Sequence, residues 1–204
     1  KILGQETAQS AIVTAGTGSG KSECFMVPML NDMARQVDDH DKTLVGVQAI
    51  MLYPLNALIN SQRDRLIGWT RGFEGKVRFA LYNGETPSNV VAQRTKAQAS
   101  WHGTPKPEEV KDRKSIRSSP PPILVTNATM LEYMLVRPED RPIIEKSQGA
   151  LRWIILDEAH TLIGSAAAET SLLLRRTMYA FGVEPKDVRF VATSATIGDQ
   201  SKQQ

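Results

Sequence analysis

The segment with the clearest chemical meaning is AGTGSGKS, residues 15–22, which lies between an apolar run and a helical pattern. Its three glycines let the backbone turn tightly, so that amide groups point inward at the positive end of a helix and form an anion site. Lys21 would then reach the β- and γ-phosphates of a nucleotide, and the Ser22 hydroxyl would bind Mg²⁺. The strict phosphate-binding pattern has glycine at the first position, where this chain has Ala15. The alternative interpretation of the segment is a glycine-rich turn that binds no ligand. The predicted cofactor-binding residues are Ala15, Gly16, Thr17, Gly18, Ser19, Gly20, Lys21 and Ser22.

A second candidate is the acidic pair in LRWIILDEAH, residues 151–160, where an apolar run ends in Asp157 and Glu158. Successive residues of a strand point to opposite sides, so two adjacent carboxylates at its end can take two roles. Asp157 would hold Mg²⁺, and Glu158 would orient and deprotonate an attacking water molecule. The alternative for an isolated pair is an acidic surface turn. Together with Lys21 the pair predicts phosphoryl transfer.

The elements that must position these groups are short apolar runs that alternate with helical stretches. Strands are predicted at residues 11–15, 45–53, 76–82, 123–126, 151–156 and 189–193, and helices at residues 21–37, 56–66, 127–136 and 165–182. Strands that are apolar throughout and separated by helices indicate an α/β fold, with a mostly parallel central sheet and helices on both faces. Ligands of such sheets bind outside the carboxyl ends of the strands, where every candidate group above falls.

Composition and charge narrow the classes of protein. The 204 residues are 41% hydrophobic and 23% charged with a net charge of +3, which fits one ordinary globular domain. The single cysteine, Cys24, suits a reducing compartment, and no apolar run approaches the roughly 20 residues of a membrane span. We therefore expect a cytoplasmic protein without a membrane partner.

Charge is concentrated in a polar segment, residues 88–122, which we predict to be a basic insertion within the domain. It holds seven basic and three acidic side chains. A solvated insertion and a contact with nucleic acid or a protein partner are both consistent with this pattern. The basic residues are Arg94, Lys96, Lys106, Lys111, Arg113, Lys114 and Arg117.

The ordered motifs resemble those of the first RecA-like domain of superfamily 2 helicases and translocases, a P-loop NTPase fold. AGTGSGKS is similar to motif I, DEAH to motif II, and TSATIG, residues 193–198, to motif III. The resemblance covers nearly the whole chain and implies ATP hydrolysis with Mg²⁺. It also implies that Ser194, Thr196 and His160 couple the state of the nucleotide to a second RecA-like domain of the same polypeptide.

Two further stretches resemble the nucleic-acid-binding motifs of the family. YPLNALINSQRDRL, residues 53–66, is similar to motif Ia, VTNATMLEYML, residues 125–135, to motif Ib, and YNGET, residues 82–86, to the glycine turn between them. Amides at helix N-termini bind phosphates without reading bases, as a processive motor requires. Asn56 and Asn127 could instead be helix caps alone. The candidate contacts are Pro54, Asn56, Arg63, Gly84, Thr126 and Asn127.

The same stretches favour DNA over RNA as the polymer. The PRR signature of DEAH-box RNA helicases is absent from motif Ia, which instead resembles that of YprA-like and Lhr-like DNA helicases and of large helicases in bacterial defence systems such as Druantia. An ATP-dependent DNA helicase or translocase, with defence-complex protein partners, is therefore the leading hypothesis. The alternatives are an RNA helicase, a DNA- or protein-binding module without productive hydrolysis, and an ATPase that moves no nucleic acid.

The chain contains no motif of a second RecA-like domain, so we expect residues 1–204 to be the first motor domain of a larger protein. The arginine finger would lie on the second domain, and its absence predicts weak nucleotide binding and negligible turnover by these residues alone.

Overall fold

A computed structural model describes residues 9–16, 20–40, 42–89 and 107–194 of the chain. The strands are β1 (Ala11–Thr14), β2 (Ala49–Leu52), β3 (Phe79–Tyr82), β4 (Ile123–Thr126), β5 (Trp153–Leu156) and β6 (Arg189–Ser194). The α-helices are α1 (Lys21–His40), α2 (Asn56–Ser61), α3 (Arg63–Thr70), α4 (Arg113–Ser118), α5 (Ala128–Val136), α6 (Arg141–Glu145) and α7 (Ser165–Ala180).

The six strands form one sheet in the order β1-β6-β5-β2-β4-β3, and every neighbouring pair is parallel. The predicted α/β fold with a parallel sheet is confirmed. β2 is shorter than predicted at its N-terminal end, where the amides of residues 46–48 donate to carbonyls of the proline-rich stretch before β4 and to the Ser147 hydroxyl.

Each face of the sheet carries a hydrophobic core, as expected for a sheet covered on both sides. On one face Phe25, Met29 and Met33 of α1 pack against Met51 and Ile155. On the other face helices α4 to α7 pack against Ile50, Leu124 and Ile154, among others. Asp32 of α1 also accepts a hydrogen bond from the Trp153 indole N–H at 2.9 Å, which fixes the helix after β1 to the strand that ends in the acidic pair.

The helix predicted at residues 56–66 is two helices, α2 and α3, which meet at Gln62. Short helices α4 and α6 were not predicted, because five or six residues are too few to show a helical repeat. No helix in the described residues is long and apolar enough to cross a membrane.

Half of the predicted basic insertion lies outside the described residues, including Arg94, Lys96 and Lys106. In the described half, the Arg113 guanidinium donates to the Asn83 carbonyl at 2.9 Å and the Thr86 carbonyl at 3.0 Å. Arg117 pairs with the buried Asp140 at 2.7 Å. These two charges therefore stabilise the fold instead of extending into solvent, and the boundaries of the insertion stay a prediction.

Candidate nucleotide site and nucleic-acid face

The carboxyl ends of all six parallel strands meet at one edge of the sheet, and the predicted chemical groups follow them there. β1, β6 and β5 are consecutive in the sheet, so the segment after β1, motif III and the acidic pair are neighbours. β2, β4 and β3 complete the edge and carry the motifs predicted to contact nucleic acid. We call these two parts the nucleotide half and the polymer half of the edge, after the ligands that the sequence predicts for them.

The predicted phosphate-binding segment leads from β1 into α1. Thr17, Gly18 and Ser19 lie outside the described residues. Gly20 has a positive φ of 82°, a conformation that glycine adopts without strain, directly before the first residue of α1. The Lys21 ammonium donates to the Ala15 carbonyl at 2.8 Å, so it closes the loop on itself. Ser22 is in the first turn of α1, where its hydroxyl lies at the positive end of the helix.

The acidic pair is held by a residue that sequence reasoning missed. The Thr193 hydroxyl, which is buried, donates a hydrogen bond to Asp157 Oδ1 and accepts one from the Glu158 backbone N–H at 3.4 Å. Thr193 lies opposite Asp157 because Leu156 is in register with Ala192 one residue earlier. The signal that could have found it is strand register, which a single sequence does not specify.

Glu158 has a left-handed backbone, with φ 53° and ψ 41°. This conformation is unfavourable for a residue with a side chain, and such strain concentrates at functional sites. The turn that follows stabilises it, because the Thr161 N–H and hydroxyl both donate to the Glu158 carbonyl, at 3.0 and 2.8 Å. His160 Nδ1 lies 3.2 Å from Glu158 Oε2, so the histidine orients the carboxylate predicted to act as base.

The oxygen atoms present fit a hard divalent cation. The Thr193 hydroxyl donates to Asp157 Oδ1, and no hydrogen bond to Oδ2 is found within the described part of the chain. The Ser22 hydroxyl supplies a second oxygen of the kind that Mg²⁺ prefers. A group of three or more metal-binding side chains is not found in the described residues. A magnesium ion bound mainly by water and nucleotide phosphates needs only one or two protein ligands.

In the polymer half, Asn56 and Asn127 contact each other. Asn127 Nδ2 donates to Asn56 Oδ1 at 2.7 Å, which joins the turn after β2 to the turn after β4. Asn127 Oδ1 also caps α5 by accepting from the Met130 N–H at 2.8 Å. Asn56 is not a cap, because the N-cap of α2 is Leu55. Capping therefore accounts for one asparagine and not for the other.

The other candidate contacts differ in whether their side chains are already hydrogen-bonded within the protein or are exposed. The Thr126 hydroxyl is buried and donates to the Tyr82 carbonyl at 2.6 Å. The Arg63 guanidinium makes two hydrogen bonds of 2.7 Å to Glu109, which raise its pKa. Pro54 and Gly84 are exposed, and a Cβ added at Gly84 would meet no atom within 4 Å. A contact of Thr126 with a ligand would have to use its backbone, and Arg63 has a competing partner.

A cavity of about 310 Å³ joins the two halves of the edge. It is lined by Asp157 and Thr161 of the nucleotide half and by Tyr53, Pro54, Asn56 and Asn127 of the polymer half. A larger groove of about 860 Å³ between α5 and α7 continues from it and shares Pro54 and Thr170. A ligand in the polymer half would therefore lie next to the predicted metal ligand.

Comparison with known proteins places these features in a family. The DEAD/DEAH box helicase family matches residues 2–204. The chain is 27% identical to the Druantia protein DruE of Escherichia coli and 25% identical to the uncharacterized ATP-dependent helicase YprA of Bacillus subtilis, over 95% of its length in each case. It spans only 15% and 22% of these two relatives. The structure of Mycobacterium smegmatis helicase Lhr bound to ssDNA and AMP-PNP is 20% identical and has a TM-score of 0.65, over 93% of this chain and 21% of that one.

Proposed function

Because the chain belongs to the DEAD/DEAH box helicase family, we propose that it is the ATP-binding domain of a DNA helicase or translocase. Lys21 and the amides of residues 15–22 would hold the phosphates of ATP. Ser22 and Asp157 would hold Mg²⁺, which when bound offsets the charge of the phosphates. Glu158, oriented by His160, would take a proton from the attacking water molecule.

The observation that carries this proposal is the arrangement of Lys21, Asp157 and Glu158. Lys21 and the acidic pair are more than a hundred positions apart in the sequence, yet Lys21 follows β1 and the pair follows β5, with only β6 between these strands in the sheet. Thr193 contacts the Asp157 carboxylate, and His160 contacts that of Glu158. A protein that used this fold for binding alone would need neither the oriented base nor the strained backbone at Glu158.

The proposed polymer ligand is the DNA backbone, which the domain would bind without recognising the base sequence. The turns after β2 and β4 end at the helix N-termini of α2 and α5, whose amides suit phosphates. Pro54, Asn56, Gly84, Asn127 and the backbone of Thr126 would make these contacts. The choice of DNA rather than RNA is supported by the similarity to helicase Lhr of Mycobacterium smegmatis, whose structure contains ssDNA.

Coupling would run through His160, Ser194 and Thr196 to a second RecA-like domain. Thr196 lies outside the described residues, and Ser194 is buried at the end of β6. The similarity to DruE further suggests a role in a bacterial defence complex, with the other proteins of that complex as partners.

The test is ATP turnover by the protein at its full natural length, with DNA, RNA or no polymer, in the wild type and in Lys21→Ala and Glu158→Gln variants. We expect turnover that DNA stimulates and that both substitutions reduce by at least about a hundredfold, the scale at which a general base contributes. Unchanged turnover in both variants would refute the assignment of the site. Stimulation by RNA alone would retain the site and overturn the choice of DNA.

A second experiment measures DNA binding directly. Binding of several DNA sequences at two salt concentrations should weaken with salt and depend little on sequence. A strong preference for particular bases would contradict backbone recognition.

A further inference from the structure

Tyr53, the residue that follows β2, has a buried hydroxyl group without a hydrogen-bond partner in the described structure. The residue is 2% exposed and belongs to the core on the α1 face of the sheet. Buried polar groups are nearly always hydrogen-bonded, and each exception in a native fold requires an explanation. A phenylalanine would fill this core position without leaving an unpaired hydroxyl.

Strand register places Tyr53 beside the predicted metal ligand. Leu52 is in register with Leu156, and the Asp157 N–H donates to the Leu52 carbonyl at 3.0 Å, so the pairing continues past the strand ends. Tyr53 and Asp157 are thus adjacent on neighbouring strands. Side chains at matched positions of a parallel pair lie on the same face of the sheet.

That shared face is the one against which α1 packs. Met51 and Ile155, two residues before Tyr53 and Asp157, both belong to the core under α1. Since side chains alternate along a strand, Tyr53 and Asp157 lie on the α1 side as well. The helix that begins with Lys21 and Ser22 covers this side, so the unpaired hydroxyl lies on the nucleotide face and not on the opposite one.

The Tyr53 hydroxyl can donate a hydrogen bond, but it has no acceptor in the described structure. Burial, and to a smaller extent the Asp157 carboxylate, raise the pKa of Tyr53 above its usual value, while Arg65 opposes this shift. A tyrosine hydroxyl carries its proton at neutral pH even at its ordinary pKa, so the group can donate a hydrogen bond. Asp157 Oδ1 is already bonded to Thr193, which leaves Oδ2 as an acceptor on the neighbouring strand.

We propose that Tyr53 is a positioning residue of the metal site, whose hydroxyl becomes hydrogen-bonded to Asp157 and to water that accompanies Mg²⁺ when Mg²⁺ and nucleotide bind. Together with Thr193 it would hold the Asp157 carboxylate from both sides. Because Pro54 and the turn of the polymer half follow Tyr53 directly, the bond would also tie that turn to the occupied metal site. This inference rests on the proposed function, since it assumes that Asp157 holds the metal.

The test compares the wild-type protein at its full natural length with Tyr53→Phe, which removes only the hydroxyl. Tyr82→Phe is the matched control, because Tyr82 is a buried tyrosine at the end of β3 whose hydroxyl accepts from Arg113 at 3.0 Å. Binding of a fluorescent non-hydrolysable ATP analogue is titrated at a series of free Mg²⁺ concentrations and in EDTA. Thermal unfolding is measured without nucleotide or metal.

For Tyr53→Phe we expect the Mg²⁺ concentration at half-maximal nucleotide binding to rise about 3- to 10-fold, the effect of one net hydrogen bond. Binding in EDTA should not change, and the protein without ligands should melt at the same temperature or higher. Tyr82→Phe should melt lower and keep the wild-type response to Mg²⁺.

A wild-type response to Mg²⁺ in Tyr53→Phe would overturn the inference, and so would a loss of thermal stability equal to that of Tyr82→Phe. If the wild type binds the analogue no better than Lys21→Ala, the proposed function itself fails. If the wild type binds and Tyr53→Phe binds equally well, only the role of Tyr53 fails.

Discussion

Replacing Arg63 with methionine removes the guanidinium group but keeps most of the aliphatic stem, so it separates two roles for this residue. The resemblance of residues 53–66 to motif Ia predicts that Arg63 contacts nucleic acid. In the structure, however, Arg63 forms a bidentate ion pair with Glu109. Their side chains are 17% and 5% exposed, so the substitution leaves a nearly buried carboxylate without its main partner. Lys111 remains at 3.7 Å.

The size of the effect follows from this geometry. Removing one partner of a buried ion pair costs about 3–5 kcal/mol. The partial exposure of Arg63 and the nearby Lys111 ammonium reduce this estimate to about 2–3 kcal/mol. For a chain of this size each kcal/mol lowers the melting temperature by about 2–4 °C, so the expected decrease is roughly 4–12 °C.

The assay pairs thermal unfolding with the salt dependence of DNA binding. If Arg63 acts within the fold, Arg63→Met melts early but retains the wild-type slope of log affinity against log salt. A phosphate contact would instead reduce that slope by about 0.7–0.9 and leave the melting temperature nearly unchanged. The double variant with Glu109→Gln should recover part of the lost stability, because no buried charge is then unpaired. Wild-type melting together with a reduced slope would refute the structural role.

Three further predictions concern the two halves of the sheet edge. Thr193→Val should lower ATP turnover by about tenfold or more, because Asp157 loses a hydrogen bond to a charged group, whereas Thr193→Ser should retain most of it. Asn127→Ala should destabilise the fold by about 1 kcal/mol, because the Met130 N–H loses its cap. Asn127→Asp should keep the cap but weaken DNA binding in a titration, because it brings a negative charge close to the phosphates. Glu158→Gly should abolish turnover yet stabilise the fold by up to about 1 kcal/mol, measured by urea unfolding, because glycine adopts a positive φ without strain. An equal gain in stability for Glu158→Gln would contradict this explanation.

The sequence predicts the fold well, and it also identifies the candidate nucleotide-binding groups, because both depend on local patterns. The strands are short runs rich in apolar and β-branched residues, so all six could be recognised, and the carboxyl ends of parallel strands necessarily meet at one edge. Glycines and a lysine before a helix specify an anion site through backbone geometry alone. Neither conclusion requires knowing which strands are neighbours.

What could not be predicted depends on register and on contacts between distant residues. Tyr53 and Thr193 flank Asp157 only because β2 and β6 are the strands on either side of β5. Glu109 reaches Arg63 from 46 positions away, so motif Ia resemblance could not reveal that the guanidinium has a partner. The sequence offers a cap by Asn127 as one alternative, but the hydrogen bond from Asn127 to Asn56 joins residues that are 71 positions apart.

The strand order has a consequence for how nucleotide and polymer could communicate. Neighbouring strands are about 4.8 Å apart, so the β5–β2 pair brings Asp157 within one strand spacing of Tyr53 and of the turn that follows it. Gly84, after β3, is three strands from β5, a lateral separation of about 14 Å. A change at the metal site can therefore reach the turn after β2 through one pair of side chains, whereas it reaches the turn after β3 only by moving β2 and β4 as well. Side-chain coupling between ATP and DNA within this domain is thus expected at the boundary between β5 and β2, where the two halves share a cavity and where the unpaired hydroxyl of Tyr53 lies.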